Sequence, residues 1–381
     1  MVSERSLYLH YLRFLSALIV CLGHIKEFLF VHMENTATIS EKFSRLFLGL
    51  GPSAVLVFFF LSGFLVGGKQ IVYLFENALN LSNYLFDRLT RLWIVLFPAI
   101  FLTYILNLLT CRNSRVSLYC SADLELASHT TMAPLSSQNF SDLISNVFFL
   151  QPFRGTQWGG NGPLWSLSYE FWYYLIFFSI INIFGGLFKL KKKILIISHL
   201  VFILATSRFL DLKWWSLGII WLSGAITAFL LRQDKIRDYA RKIQKIFPFK
   251  FTIMSLVLVF PALVFLKILH PVISFPVAII ILTLSVTLTS DESETYMKKN
   301  SQKLIVAGAQ FSFSLYLIHF PLIAFATSFV TPVDRWKMSP AGLLVLIGVA
   351  FGTLLVSYGF ARLTEYKLTK LRLALKTFAR A

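Results

Sequence analysis

The sequence predicts an all-α fold, a polytopic bundle of about ten transmembrane helices. Of its 381 residues, 56% are hydrophobic and only 14% are charged, which is more apolar surface than a soluble domain of this length can bury. Apolar runs recur along the chain at about 20 residues, the length that a helix needs to cross a bilayer core. In lipid the helix also satisfies its own backbone hydrogen bonds.

The predicted spans follow the apolar runs in chain order. Two of the loops between them are very short, so a count of roughly eight or nine spans is also open. The spans are 8–30, 48–68, 90–110, 164–186, 194–210, 214–231, 251–270, 272–290, 305–330 and 341–361.

Positive charge is unevenly distributed between the two sides of this arrangement. The formal net charge is +18, and with a cytoplasmic N-terminus most of the 36 Lys and Arg residues fall in cytoplasmic segments, including clusters at 189–193 and 232–250. This positive-inside bias predicts that both termini are cytoplasmic, with anionic lipids as partners of the clusters. Nucleic-acid binding is not expected, because it needs a continuous basic surface with stacking aromatic residues.

We expect residues 1–381 to form a single transmembrane domain without a soluble appendage. The outer loop 111–163 is rich in Ser, Thr and Asn, and loops of such length are often functional. It includes a short amphipathic segment around 140–150. The tail 365–381 is basic and amphipathic, and we expect it to lie on the cytoplasmic membrane surface.

The three cysteines define little by themselves. Cys111 and Cys120 both lie in the outer loop and could form a disulfide if that side is oxidising. Cys21 lies in the first span, where a packing role is expected. No spacing of Cys and His is typical of a metal site, so no metal cofactor is expected.

Ionisable residues within membrane spans are costly and are therefore functional candidates. The first span contains Arg13 and His24. Eleven residues at about 100° each place the two within roughly 20° around the helix and about 16 Å apart along it. Such a face could bind an anion through Arg13 while His24 transfers a proton. Alternatively, Arg13 extends to the headgroups and His24 hydrogen-bonds a neighbouring helix.

The fourth span contains a carboxylate, Glu170, about 10 Å below the start of the helix near Pro163. It could orient the His24 imidazole or accept a hydrogen bond from a sugar hydroxyl. A buried ion pair with a cation of the first span is the alternative. Trp165 and Ser168 precede it on the same helix, and Trp165 is placed where interfacial tryptophans are common.

Small and basic residues mark the second and third spans. Ser62 and Gly63 allow close helix packing or bring the backbone near a ligand. Arg88 and Arg91 share one helix face at the cytoplasmic start of the third span. They could clamp phosphates, or they could simply anchor the span in the headgroups.

The ninth span contains a polar stripe within an apolar helix. Tyr316 and His319 lie three residues apart, close enough for a hydrogen-bonded pair, and Pro321 follows. A structural role for this pair is as open as a catalytic one.

Five elements in chain order together resemble the integral-membrane acyltransferase-3 family. Glu365 also resembles the acidic residue that follows that family's last helix, while Asp87 stands where the family often has a basic residue. The five elements are R-x(10)-H at Arg13 and His24, F-x-L-S-G-F-L at 59–65, an arginine-rich stretch with Arg88, Arg91 and Pro98, N-x-P-L-W-S-L-x-x-E at 161–170, and S-L-Y-L-x-H-x-P within 313–321.

The resemblance implies a membrane O-acyltransferase. Its acyl donor would be acetyl-CoA from the cytoplasm, and its acceptor a hydroxyl of a cell-surface glycan, such as O-antigen or exopolysaccharide, or of a lipid-linked precursor. It would be a multi-pass protein of the inner (plasma) membrane, with membrane lipids, acyl-CoA and the glycan as its partners.

The resemblance also implies roles for individual residues. His24 would act as general base or briefly carry the acyl group, and Glu170 would support the imidazolium. The other expected site residues are Arg13, Ser62, Arg88 and Arg91 for the donor, and Trp165, Ser168, Tyr316 and His319 for the acceptor or for support.

A transporter or flippase of a glycan or small molecule is the main alternative, because proton-coupled carriers also place Arg, His and Glu inside the membrane. Inverted repeats would favour a carrier, and the sequence shows none.

Overall fold

A computed structural model describes residues 3–30, 50–76, 80–112, 138–187, 193–208, 210–246, 271–289, 299–330 and 336–378. Throughout these ranges the regular structure is helical, with only an isolated bridge between Phe30 and Trp336. The predicted all-α membrane fold is confirmed.

The helices are numbered in chain order within the described ranges. They are α1 (Glu4–Leu29), α2 (Gly51–Phe75), α3 (Leu81–Arg112), α4 (Phe140–Val147), α5 (Leu164–Leu187), α6 (Lys193–Ser207), α7 (Leu212–Leu230), α8 (Asp234–Ile246), α9 (Pro271–Thr287), α10 (Lys299–Val330), α11 (Pro340–Leu363) and α12 (Leu368–Phe378).

The apolar helices coincide with the predicted spans. In the described part of the chain, seven stretches are long and apolar enough to cross a membrane: α1, α2, α3, α5, α7, α10 and the run from α11 through α12. The predicted spans 194–210 and 272–290 correspond to the shorter apolar helices α6 and α9. The predicted span 251–270 lies outside the described residues. The chain is thus a multi-pass membrane protein, and its total span count and the side of its termini stay predictions.

The chain forms two compact units. Unit one comprises Met1–Ser16, Pro52–Asn83 and Tyr169–Val306, and unit two comprises Ala17–Gly51, Tyr84–Ser168 and Ala307–Ala381. Each unit therefore takes helices from distant parts of the sequence.

In unit one, α2 and α7 approach each other closely through small residues. A Cβ atom added at Gly63 would overlap the carbonyl oxygen of Trp221, and one added at Gly224 would overlap that of Phe60. Helices in membranes associate through such small residues, because backbones can then come into van der Waals contact. At the contact α2 contains a π-helical turn, Gly63–Gly67, a distortion frequent at functional sites.

In unit two, the segment before α5 packs against α3. Gly159 has a positive φ of 59°, and a Cβ there would lie 2.7 Å from Asn107 Nδ2, so this position favours glycine. Trp158 donates its indole N–H to the Ile100 carbonyl at 3.2 Å. The short amphipathic segment predicted near residue 140 is α4, whose N-cap Asn139 accepts from the Asp142 N–H at 2.8 Å.

Within the C-terminal tail, α12 has Leu373 and Phe378 exposed, and its location on the membrane surface stays a prediction. Of the cysteines, Cys21 is a buried free thiol, in line with a packing role. Cys111 is disulfide-bonded, as the sequence allowed. Its predicted partner Cys120 lies outside the described residues.

Candidate functional site

A pair of histidines from α1 and α10 forms the most distinctive polar contact in unit two. His24 Nδ1 lies 2.8 Å from His319 Nε2, and the two rings are stacked with centroids 5.1 Å apart. Phe320 packs edge-on against His24 with centroids 5.2 Å apart. His319 is completely buried, whereas His24 is only partly buried, so His24 is the more accessible member of the pair.

The protonation of this pair follows from a third group. His319 Nδ1 lies 3.0 Å from the Leu315 carbonyl oxygen, which can only accept, so Nδ1 carries the proton. In neutral His319 the Nε2 atom is then an acceptor, and His24 must donate to it from Nδ1. The lone pair of neutral His24 therefore lies on Nε2, the ring atom that a general base would use.

The hydroxyl of the neighbouring tyrosine, Tyr316, has a partner on α5. Tyr316 OH lies 2.6 Å from Ser166 Oγ, and both ring nitrogens of His319 have the partners just described. Because Ser166 Oγ donates to the Pro163 carbonyl at 3.1 Å, Tyr316 donates to Ser166. The tyrosine thus ties α10 to the first turn of α5.

The other predicted residues on the first turns of α5 lie close to this contact. Ser168 is buried, and its Oγ donates to Gln151 Oε1 of the preceding loop. Trp165 is partly buried. Ser166, which is buried and bonded to Tyr316, was not among the predicted site residues. Its position within the sequence element at 161–170 could have identified it.

A loop amide connects two of the sequence elements in unit two. Asn161 is fully buried, and its Nδ2 donates to the Leu317 carbonyl at 2.9 Å and to Thr103 Oγ1 at 3.2 Å. A second polar contact links α10 to the end of α11. There Glu365 Oε2 accepts from the Ser314 N–H at 3.0 Å and from Ser314 Oγ at 2.7 Å.

Unit one contains a separate polar network around the carboxylate of Glu170. Ser62 Oγ donates to Glu170 Oε1 at 2.5 Å, and Tyr174 OH donates to the same oxygen. The indole N–H of Trp221 in turn donates to Ser62 Oγ at 3.1 Å. Ser62 and Tyr174 therefore hold the carboxylate of Glu170, and Trp221 holds Ser62. Both hydrogen bonds to Glu170 are accepted by Oε1.

Two members of this network were missed from the sequence. Tyr174 lies one helical turn after Glu170, so the i, i+4 spacing could have identified it. Trp221 gave no sequence signal beyond the general need of a buried indole N–H for a partner. Ser62 is held beside both by the close packing of α2 on α7, since it immediately precedes the π-helical turn.

The three predicted donor-binding arginines are distributed over both units. Arg13 is partly buried on α1 in unit one, and Arg88 and Arg91 are partly buried on α3 in unit two. The guanidinium of Arg88 lies 5.8 Å from the centroid of the Tyr84 ring. The residues thus form two groups, Arg13, Ser62 and Glu170 in unit one, and His24, Arg88, Arg91, Trp165, Ser168, Tyr316 and His319 in unit two.

The unusual acidic residue of the arginine-rich stretch has a partner in the tail. Arg372 of α12 donates through Nε to Thr90 Oγ1 at 2.9 Å and through Nη2 to the Asp87 carbonyl. Its Nη1 lies 3.7 Å from Asp87 Oδ1. Asp87 is therefore part of the contact between the tail and the start of α3, beside Arg88 and Arg91.

Among the residues that the structure describes, no group of three or more His, Cys, Asp or Glu side chains is arranged to hold a metal ion. A family model described as an acyltransferase domain matches residues 6–362, nearly the whole chain. No curated protein and no solved structure matches the chain.

Proposed function

The chain belongs to the acyltransferase-3 family, and on that basis we propose that it transfers an acetyl group from acetyl-CoA to a hydroxyl of a cell-surface glycan or of its lipid-linked precursor. Membership of the family makes the protein a membrane acyltransferase and favours an enzyme over a transporter. The acetyl donor, the glycan acceptor and a location in the inner (plasma) membrane are parts of the proposal.

The observation that carries the proposal is the orientation of His24. The chain His24–His319–Leu315 carbonyl directs the basic lone pair of His24 to Nε2. A group so prepared can take the proton of an acceptor hydroxyl as its oxygen attacks the thioester carbonyl carbon. His319 then accepts from the Nδ1–H of the His24 imidazolium and keeps the ring from rotating.

In the proposed reaction one histidine both takes up and returns the transferred proton. The acceptor oxygen forms a bond to the carbonyl carbon while His24 Nε2 takes its proton. The tetrahedral intermediate collapses by breaking the carbon–sulfur bond, and the leaving thiolate takes the proton back from His24. The products are the acetyl ester and coenzyme A. Transient transfer of the acetyl group to His24 itself is the alternative course.

The remaining residues have supporting roles in this proposal. Arg13, Arg88, Arg91 and Ser62 bind the donor through hydrogen bonds, which for the three arginines are charge-assisted. Glu170, held by Ser62 and Tyr174, stabilises positive charge that develops during transfer. Trp165, Ser168 and Tyr316 shape the acceptor side, where Ser168 and Tyr316 hold the start of α5.

The test is transfer of label from acetyl-CoA, labelled in the acetyl group, to envelope polysaccharide isolated from the cells that express the protein. The purified full-length protein in lipid nanodiscs should label the polysaccharide, and His24→Ala should reduce the rate by about 100-fold or more. His199→Ala is the matched control, because His199 also lies in an apolar helix but bonds Ser179 in α5. Undiminished transfer by His24→Ala would refute the role of His24, and a transporter would label nothing.

A further inference from the structure

A cavity of about 530 Å³ opens in unit one among α1, α2 and the end of α7. Its volume lies within the range of about 300–1,000 Å³ common for small-molecule sites. None of the residues assigned above lines it.

The cavity wall is positively charged. It contains three cationic side chains, Arg5, Lys69 and Arg232, and a single carboxylate, Glu76. Two aromatic residues, Phe64 and Tyr73, line it as well. Cations beside aromatic rings can form a binding site for a phosphorylated nucleotide, because the phosphates pair with the cations and the base stacks on a ring.

The cations differ in how they are held. Arg5 is buried, with 7% of its surface exposed, and its Nη2 donates to the Thr289 carbonyl at 2.8 Å. A guanidinium fixed in the wall and shielded from water attracts an anion more strongly than one in solution. Lys69 is exposed with its ammonium 5.3 Å from the centroid of the Tyr73 ring, and Arg232 is exposed at the end of α7. These two can move toward a ligand.

The cavity lies next to residues that the proposed function already uses. Ser6 lines it, and Arg13 lies seven residues later, about 10 Å along the same face of α1. Leu65 lines it on α2, three residues after Ser62. A ligand with phosphates in the cavity and a narrow arm directed along these faces would pass Arg13 and approach the Ser62–Glu170 network.

The helix ends around the cavity are those that the charge distribution assigned to the cytoplasm. They are the start of α1, the end of α2, the end of α7 and, through Thr289, the end of α9. Acyl-CoA is made in that compartment. The predicted topology therefore gives a cytoplasmic nucleotide access to the cavity.

We propose that Arg5, Lys69 and Arg232 bind the phosphates of the nucleotide end of the acyl-CoA donor in this cavity. The inference rests on the proposed function, since it takes acyl-CoA as the donor. It adds a binding site that the sequence elements did not indicate, in a different unit from Arg88 and Arg91.

The test compares two acetyl donors, acetyl-CoA and S-acetylpantetheine, which has the same thioester arm without the nucleotide. Lys69→Ala and Arg232→Ala should each raise the KM for acetyl-CoA by about tenfold and change kcat little, because they remove binding that does not depend on the reaction step. Neither variant should affect transfer from S-acetylpantetheine. Lys242→Ala is the matched control, since it removes an exposed cation of α8 outside the cavity.

Glu76→Gln gives a test that misfolding cannot imitate. Loss of its negative charge should lower the KM for acetyl-CoA by about two- to fivefold, whereas an occupant with positive charge would be bound more weakly. Equal effects on both donors, or effects that appear only in nanodiscs rich in phosphatidylglycerol, would overturn the proposal in favour of a lipid headgroup site. If the wild type transfers from neither donor, the proposed function fails. Titration of the wild type and the Lys69→Ala and Arg232→Ala variants with coenzyme A then tests the cavity separately. A tenfold loss of affinity in the variants would support binding of the nucleotide end there, and unchanged affinity would overturn it.

Discussion

The side-chain amide of Asn161 donates to the carbonyl oxygen of Leu317 at 2.9 Å. In a regular helix that carbonyl would accept from the N–H of residue 321, but position 321 is a proline inside α10 and has no N–H. Asn161 therefore replaces the missing helical hydrogen bond. One contact connects the loop before α5 with the helix that carries His319.

We predict that Asn161→Leu destabilises the protein and that a second substitution restores stability. The single variant leaves the Leu317 carbonyl buried without this donor, at a cost of about 1–3 kcal/mol. Pro321→Ala supplies the backbone N–H, so Asn161→Leu/Pro321→Ala should be more stable than Asn161→Leu alone. Thermal unfolding in detergent of the wild type, the two single variants and the double variant gives the coupling free energy between positions 161 and 321. Strictly additive effects would show that the amide does not substitute for the helical N–H.

The His24–His319 contact predicts graded effects of substitutions at His319. His319→Ala removes the acceptor for His24 Nδ1–H and should lower kcat by about 10- to 100-fold, the range for partners that orient a functional histidine. His319→Gln retains an acceptor oxygen and should recover part of the rate. Thr327→Val removes a buried hydroxyl that donates to the Ile323 carbonyl and serves as the control for packing changes in α10. Equal loss of activity in the Gln and Ala variants, with unchanged thermal stability, would contradict the role of the acceptor.

The network at Glu170 allows the role of the negative charge to be tested apart from the role of the hydrogen bonds. Glu170→Gln keeps an oxygen for Ser62 and Tyr174, so its thermal stability should remain near that of the wild type. If the negative charge supports transfer, its rate should fall by about tenfold or more. Glu170→Ala should lose both stability and activity. Full activity in the Gln variant would limit Glu170 to a structural role.

The close contact of α2 and α7 predicts a large effect from a single methyl group. Gly63→Ala would place its Cβ on the carbonyl oxygen of Trp221, so the helices must separate, at a cost of about 1–3 kcal/mol or more. Gly348→Ala in α11 has nothing within 4 Å of the added atom and should be neutral or slightly stabilising. Thermal midpoints of the two variants provide the comparison. Similar midpoints would mean that the π-helical turn is not pressed against α7.

The tail contact predicts a change in protease sensitivity. Arg372→Ala removes the hydrogen bonds to Thr90 and Asp87 and should release α12. Cleavage of the tail by chymotrypsin should then be faster by about fivefold or more, because local opening controls the rate. Arg372→Lys should be intermediate, since a single ammonium cannot reproduce the forked contact. Lys370→Ala, an exposed charge on the same helix, is the control and should be cleaved like the wild type.

The sequence by itself determined the spans and the identity of several polar residues. Each predicted span within the described ranges coincides with a helix, because lipid requires a continuous apolar segment that satisfies its own backbone, and both conditions are local. Arg13, His24 and Glu170 could be identified for the same reason, since an ionisable residue is conspicuous in an apolar run.

Only the tertiary structure decided which of these residues meet. His24 contacts His319 from the far end of the chain, and Glu170 is joined by Ser62 on one helix and, through that serine, by Trp221 on another. The cationic cavity likewise takes residues from three separate stretches of sequence. Periodicity gives the face of one helix, whereas contacts between helices depend on their rotation and separation, which side-chain packing over the whole bundle sets.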